Sequence, residues 1–485
     1  MQSPLLRLLV LSLLLSGAPL LVARDFLVPG DYQTIQEAID AASPGDQVIV
    51  SPGIYHERIV LKPHLRIRSA GDDSRGVLGL ARAESTLIDG GGEEGDVPGV
   101  SMAEGSILDG FTITNVGKFE EATWQKHWDE QGRNQSHEHI GGFGTPGIGI
   151  EGISCTVVNN IVHHVGSTGI AIRGEEGKRC APLVSSNICF RNMGGGIGSM
   201  QGSTAVIVGN TCFENFYAGI GHDNAAPLVL DNDCHGNIRA GIGISEGASP
   251  TVRSNRCHGN RRAGIGIRTG KNTRPLVEDN DCFENAMAGI GVEENAEPVL
   301  RSNRCHHNHL AGIGCQEGAR AILVENHCFE NGASGIGADG AEFLAFENHC
   351  EKNQTSGLGV SNDSRAIIVG SRCLENRLVA IGVTKGSDAV IIDTTSSRTG
   401  GMPPLLAVQK EATAFVHRST FEGGGVAAAM VAGNLSLSDS SVKSKGGRNA
   451  LLVAKEGIAF SKDNQFEGYE KTKTGPGLLR ELDAR

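Results

Sequence analysis

The stretch NTCFENFYAGIG, Asn210 to Gly221, is followed by NDCHGNIRAGIG, Asn232 to Gly243. The same pattern returns as NRCHGNRRAGIG (Asn255 to Gly266), NDCFENAMAGIG (Asn280 to Gly291) and NRCHHNHLAGIG (Asn303 to Gly314). It then returns as NHCFENGASGIG (Asn326 to Gly337) and NHCEKNQTSGLG (Asn348 to Gly359). Successive copies start 22 to 25 residues apart, and degenerate copies extend the series to Asn187–Gly198 and Ser371–Gly382. A period near 23 fits a leucine-rich repeat or a β-helix. The leucine-rich spacing is missing. Each unit instead holds short apolar pieces, such as PLVLDN (Pro227 to Asn232) and AGIGI (Ala240 to Ile244), separated by Asn, Gly and Pro. Short strands punctuated by turn residues predict coils of three strands. The fold class is therefore all-β: a right-handed, single-stranded parallel β-helix with coils of about 23 residues.

Stacked coils lie about 4.8 Å apart, so equivalent positions become ladders. The first Asn of each unit predicts one amide ladder at a corner and the second Asn (Asn215, Asn237, Asn260, Asn285 and onward) predicts another. The Ile of AGIG predicts an interior stack. Asp233, Arg256, Asp281 and Arg304 predict an outward charge ladder that sets register. Nine of the 12 cysteines share one repeat position, from Cys189 to Cys373. In-register side chains point in parallel, which is awkward for disulfides. The favoured reading is a stack of buried thiols; Cu(I) thiolates and disulfides between neighbours are the alternatives.

Composition agrees with thin coils, with 68 glycines and 4% aromatic residues in 485. The charge balance of 43 basic against 55 acidic residues gives −12. Such a surface repels nucleic acid and anionic membranes, and favours a neutral glycan over an anionic one. At the N-terminus Arg7, the apolar run Leu8 to Leu15 and the small residues Ser16, Gly17 and Ala18 predict a signal peptide over 1–23. Secretion or a periplasmic location is the expectation. No other apolar run reaches the roughly 18 residues of a membrane span.

The segment YQTIQEAIDAASPGDQVIVSPGIYHERIVL, Tyr32 to Leu61, resembles the opening of pectin-lyase-like β-helices, which include pectin methylesterases and the copper-site accessory protein NosD. That resemblance implies a short helix capping the barrel and a first coil that starts at the Val-x-Pro-Gly-x-Tyr-x-Glu strand. The Asn-rich units resemble NosD-like and right-handed β-helix repeats of carbohydrate-binding proteins and sugar hydrolases. The likeness covers Asp25 to about Asp393 and is specific for fold. The catalytic signatures of the methylesterases, polygalacturonases and pectate lyases are missing, so no activity is carried over.

The expected organisation is a cap and first coils over 24–117, an inserted loop over 118–146, regular repeats over 147–395 and irregular coils with a cap over 396–485. The insertion, Lys118 to Pro146, holds both tryptophans of the chain. Long loops on rigid scaffolds tend to carry function. Trp124 and Trp128 share a helical face at i, i+4 and suit stacking on sugar rings, with Arg133 beside them. Asp129, Glu130, His137 and His139 are the candidate acid–base residues. An amphipathic helix whose tryptophans cover the barrel is the competing reading. His222 replaces an inward aliphatic and is a further substrate-binding candidate, against a satisfied core histidine. His306, His327 and His349 lie on three successive coils and are candidate ligands for a divalent metal or copper.

The expected function is binding or processing of a polysaccharide or cell-envelope glycan, by a lyase or hydrolase reaction if the protein is an enzyme. A NosD-like metal-handling protein and a non-catalytic scaffold are the alternatives.

Overall fold

A computed structural model of the chain describes residues 23–92, 95–132, 135, 144–423 and 425–481. The predicted signal peptide lies outside them, apart from Ala23. Three parallel sheets run the length of the molecule. The first has 19 strands, from Asp25–Val28 to Leu478–Glu481. The second runs from Gly53–Tyr55 to Gln465–Glu467, and the third from Ile59–Val60 to Lys471–Thr474. Apart from the two terminal coils, each coil contributes one strand to each sheet, in parallel register with the coil on either side. Nineteen coils at the usual strand spacing make a rod of about 90 Å.

Helix α1, Ile35–Ala41, caps the N-terminal end. Thr34 and Glu37 form a capping box, and Ile35, Ala38 and Ile39 are buried. The Glu of the strand motif explains part of that cap. The Glu57 carboxylate accepts from the backbone N–H groups of Ile35 (2.9 Å) and Gln36 (3.0 Å). It fills two of the donors that a helix start leaves unpaired.

Both predicted amide ladders are present and buried. Each Asn Oδ1 accepts from the backbone N–H and the Nδ2 of the Asn one coil earlier; from Asn210 to Asn232 both bonds are 2.9 Å. The second ladder runs from Asn192 to Asn376, with Asn237 donating to Asn260 at 3.0 Å through both groups. The residue before each ladder Asn has left-handed backbone, as at Asp231 (φ 50°), Ser254 (φ 56°), Gly236 (φ 58°) and Glu284 (φ 54°). That conformation turns the corner and aims the amide inward.

Every cysteine is a buried, free thiol. Burial pushes the thiols of Cys212, Cys234, Cys257 and Cys305 well above the usual range, so they behave as small apolar side chains. The charge ladder forms as expected, with Arg256 3.2 Å from Asp233 and Arg304 3.6 Å from Asp281. After Asn348 the first Asn ladder gives way to Ser371, Thr394, Ser419 and Ser440. The three sheets nevertheless continue in register, as at Thr413↔Asn434 and Asn434↔Ile458.

The insertion contains helix α3, Glu121–Asp129, after the short helix α2, Ala81–Ser85. Helix α3 lies on the corner between the second and third sheets. Trp124 is 3% exposed and its Nε1 donates to the Glu214 carbonyl at 2.9 Å. Trp124 and Trp128 stack on each other at 4.9 Å, with Arg191 4.2 Å above the first ring and Arg261 4.6 Å above the second. Phe216 and Ile238 complete this satellite core. The expectation of an exposed sugar-stacking pair is therefore corrected. The coil corner offers enough apolar surface to bury Trp124 and half-bury Trp128, and arginines lie over both rings.

Candidate functional site

The Ile-Gly-Ile-Gly pattern of the third sheet decides what its outer face looks like. Strand parity sends Ile220, Ile242, Ile265 and Ile290 inward, where they are fully buried. The alternate residues then face outward, and these are Gly221, Gly243, Gly266, Gly291 and Gly314, paired in register from coil to coil. Alanines Ala218, Ala240, Ala263 and Ala288 precede them. The result is a flat floor of backbone with almost no side chains.

Two glycines of each AGIG unit have different reasons to exist. A Cβ on Gly219 would sit 2.8 Å from Asn237 Nδ2 and 2.8 Å from the Gly241 carbonyl oxygen. Gly241 and Gly264 are equally tight. That first glycine is required by packing. A Cβ on Gly221 would meet nothing within 4 Å. On Gly243, Gly266 and Gly291 it would make only ordinary contact with an alanine methyl, at 3.4, 3.6 and 3.9 Å. None of these outward glycines has a positive φ. Neither conformation nor space calls for glycine there, yet glycine weakens a strand. Glycine in a strand also permits close approach of a ligand or of another backbone.

The floor is the base of a groove of about 970 Å³ that crosses seven coils, from Gly149 to Gly291. One wall carries Tyr217, Arg239, Arg262 and Met287. The other carries Met200, Asp223, Ser245, Arg268 and Glu293. Arg268 is tied to Glu294 at 2.5 Å, and Glu293 accepts from Gln316 at 2.6 Å.

Arg239 is the unusual member. It is 8% exposed, and its Nη1 donates to Gln135 Oε1 at 2.6 Å. Its Nε and Nη2 are buried without a hydrogen-bond partner. Burial, with Arg262 nearby, lowers its pKa to about 10, so it stays charged at neutral pH. Gln135 comes from the insertion and also donates to the Ile238 carbonyl at 2.5 Å. The strap that holds the tryptophans thus positions a half-satisfied guanidinium in the groove wall. Sequence reading missed Arg239, because NIRAGIG differs from its neighbours only at a variable wall position.

Of the predicted acid–base residues, Asp129 is exposed at the end of α3 and accepts from Gln125 Nε2 at 2.8 Å, while the Glu130 carbonyl accepts from Arg261. Neither lines the groove. Arg133, His137 and His139 lie outside the described residues. His222 lies at the groove but is 3% exposed and on the inward side of its strand, between Ser199 and Ile244 in register. Both its ring nitrogens lack a partner, and burial lowers its pKa to about 3. Its exposed neighbour Asp223 lines the groove as well.

The predicted histidine cluster divides. His306 belongs to a column of stacked rings on the second sheet, with Phe283 at 5.2 Å and Phe329 at 4.6 Å, and its Nε2 is 3.1 Å from Asp281. His327 and His349 form a separate stacked pair at 4.6 Å, facing Glu351.

Comparison with known proteins agrees with the fold. The family model described as right handed beta helix region matches residues 134–272 and 213–348. No curated protein matches the chain in sequence. Among solved structures, the chain is similar to the A-module of a mannuronan C-5 epimerase from Azotobacter vinelandii, at 14% identity and TM-score 0.35, over 92% of this chain and 94% of that one. It is similar to a periplasmic alginate epimerase at 14% identity and TM-score 0.38, over 72% and 79% of the two chains. It is also similar to the catalytic unit of an alpha-1,3-glucanase from Streptomyces thermodiastaticus, at 11% identity and TM-score 0.37, over 72% and 61%.

Proposed function

Because the chain is a right-handed parallel β-helix with a side-chain-free lane on one sheet, we propose that it binds a linear polysaccharide lengthwise in the groove of the third sheet. One observation carries the reading. Glycine repeats at outward positions where a Cβ would fit, so the floor is kept bare across successive coils. A flat floor suits a ribbon-shaped polymer, and a repeat of one coil rise suits a polymer whose own repeat is about one sugar. The walls supply what a glycan needs for orientation, namely Tyr217 and a set of charged hydrogen-bonding groups. Arg239, with two buried N–H donors unfilled, favours an acceptor-rich group at its coil, such as a sugar carboxylate or a pair of hydroxyls.

The reading is of binding along the groove; a cleavage, elimination or epimerisation step would fall to the titratable wall residues Tyr217, Asp223 and Glu293. The predicted signal peptide supports action outside the cytoplasm, which N-terminal sequencing of exported protein tests.

The binding claim is tested by titrating full-length protein with a panel of neutral and uronic-acid polysaccharides, beside the Arg239→Lys variant. Lysine keeps the charge and loses the fork. The expected result is saturable binding of at least one glycan, weakened about tenfold or more in the variant. No binding across the panel, or equal binding by both proteins, would overturn the assignment.

A further inference from the structure

The second sheet carries two neighbouring outward columns, and both change character at the same place. The column before the cysteine alternates in charge through Asp233, Arg256, Asp281 and Arg304, and then holds His327 and His349 before returning to Arg372. The column after the cysteine is a stack of rings from Phe190 to Phe329, and then holds Glu351. Charge alternation would have placed an acid beneath Arg304. The joint departure instead gathers two imidazoles and a carboxylate on adjacent coils.

The donor atoms of the three side chains converge. The rings of His327 and His349 stack at 4.6 Å and 10°. His327 Nε2 is 3.6 Å from Glu351 Oε1, and His349 Nε2 is 3.5 Å from Glu351 Oε2. Those separations are too long for hydrogen bonds, and both Nε2 atoms are buried without a partner. One atom of each of the three residues lies within 4.8 Å of the others. In a tetrahedral zinc site with ligands near 2.1 Å, donor atoms lie about 3.4 Å apart. The two measured edges match that figure. The Glu351 carboxylate spans both nitrogens, as a ligand shared between coils would.

We infer that His327, His349 and Glu351 form a site for a divalent transition-metal ion, with zinc the best fit, that ties adjacent coils of the second sheet together. Two nitrogens and one carboxylate leave a fourth position open to water. The three side chains are about a third exposed, at 32, 31 and 26%, so an ion can enter from solvent. The nearest cations are compatible with the charge. Arg304, on the coil before, leans toward Asp281 at 3.6 Å and over the Phe329 ring at 5.4 Å. Lys352 is 3.9 Å from Glu330. Arg372, in register with His349, is the one neighbour that opposes the ion, and it sets a limit on affinity. The site lies on a different sheet from the glycan groove and does not depend on it.

The test uses chelator-stripped full-length protein titrated calorimetrically with zinc chloride, and in parallel with Co(II) for its visible absorption. The expected result is one ion per chain, tetrahedral Co(II) bands, and binding weakened at least tenfold in Glu351→Gln and abolished in His327→Gln/His349→Gln. His306→Gln, in the neighbouring ring column, keeps wild-type binding. Circular dichroism confirms that each variant is folded, and the single Glu351→Gln change on an outward position gives a readout if the double variant is not. Absence of binding by wild-type protein, or undiminished binding by Glu351→Gln or the double variant, would overturn the inference and place any bound zinc elsewhere, such as the thiol stack.

Discussion

Two glycines two residues apart should respond to substitution with opposite sign. In Gly219→Ala the new methyl would sit 2.8 Å from Asn237 Nδ2 and from the Gly241 carbonyl oxygen. Both are parts of a buried ladder that cannot give way cheaply, so the cost is that of overpacking, about 1–3 kcal/mol. In Gly221→Thr the new Cβ meets nothing within 4 Å, the backbone is ordinary strand, and the side chain points to solvent. Replacing a strand glycine recovers about 0.5–1 kcal/mol of backbone entropy. A β-branched residue adds a further part of a propensity scale that spans about 1 kcal/mol. Gly221→Thr is therefore expected to stabilise the coil by about 1 kcal/mol while raising an obstacle on the groove floor. Urea unfolding followed by circular dichroism reads the first effect. Glycan titration reads the second, as at least a tenfold loss, which corresponds to about 1.4 kcal/mol. A Gly221→Thr protein that binds glycan normally would refute the argument that the bare floor serves a ligand. One that is destabilised would refute the claim that the site has room.

Three further outcomes follow from the same geometry. His222→Leu removes an imidazole with two unpartnered nitrogens from the interior and is expected to stabilise by about 1–3 kcal/mol at neutral pH. The unfolded chain takes up a proton below its ordinary pKa of about 6.5 while the folded His222, lowered to about 3, does not, so the native protein loses about 1.4 kcal/mol per pH unit between those values and the variant lacks this component; denaturant midpoints from pH 7 to pH 4 check it. Trp124→Ala is expected to cost about 3–5 kcal/mol of local stability, read as lost hydrogen-exchange protection over 121–129. Asn260→Ala leaves the backbone N–H and Nδ2 of Asn237 and the Cys234 carbonyl without their partners. It is expected to cost at least about 2 kcal/mol, measured by urea midpoint.

The fold was legible because repetition removes ambiguity. A ladder forces the same answer on every coil, so Asn, Cys and Ile at fixed spacing fix corner, interior and register together. The motif glutamate Glu57 capping α1 is a local rule of the same kind. The groove was harder to see. Its floor is written in glycine, which in sequence reads as turn or corner, and only the space around each absent Cβ separates Gly219 from Gly221. The tryptophans misled because the i, i+4 spacing that makes a sugar platform also makes a buried helix face. Which one results depends on the corner residues Phe216 and Ile238, far along the chain. Arg239 could not be found from its own coil, since its significance rests on Gln135 from the insertion and on the two N–H groups that Gln135 leaves unfilled. For the histidines, spacing alone joined His306 to His327 and His349, whereas strand register places it in the other column, two residues along the same face.

The most direct test of the account is a crystal structure of the protein with a bound oligosaccharide long enough to cross several coils. The account predicts sugar density lying along Gly221, Gly243, Gly266 and Gly291, with an oxygen of the ligand accepting from Arg239 Nε or Nη2. Sugar bound elsewhere, such as on the ring column of the second sheet, with the glycine floor empty and those two nitrogens still unpartnered, would contradict it.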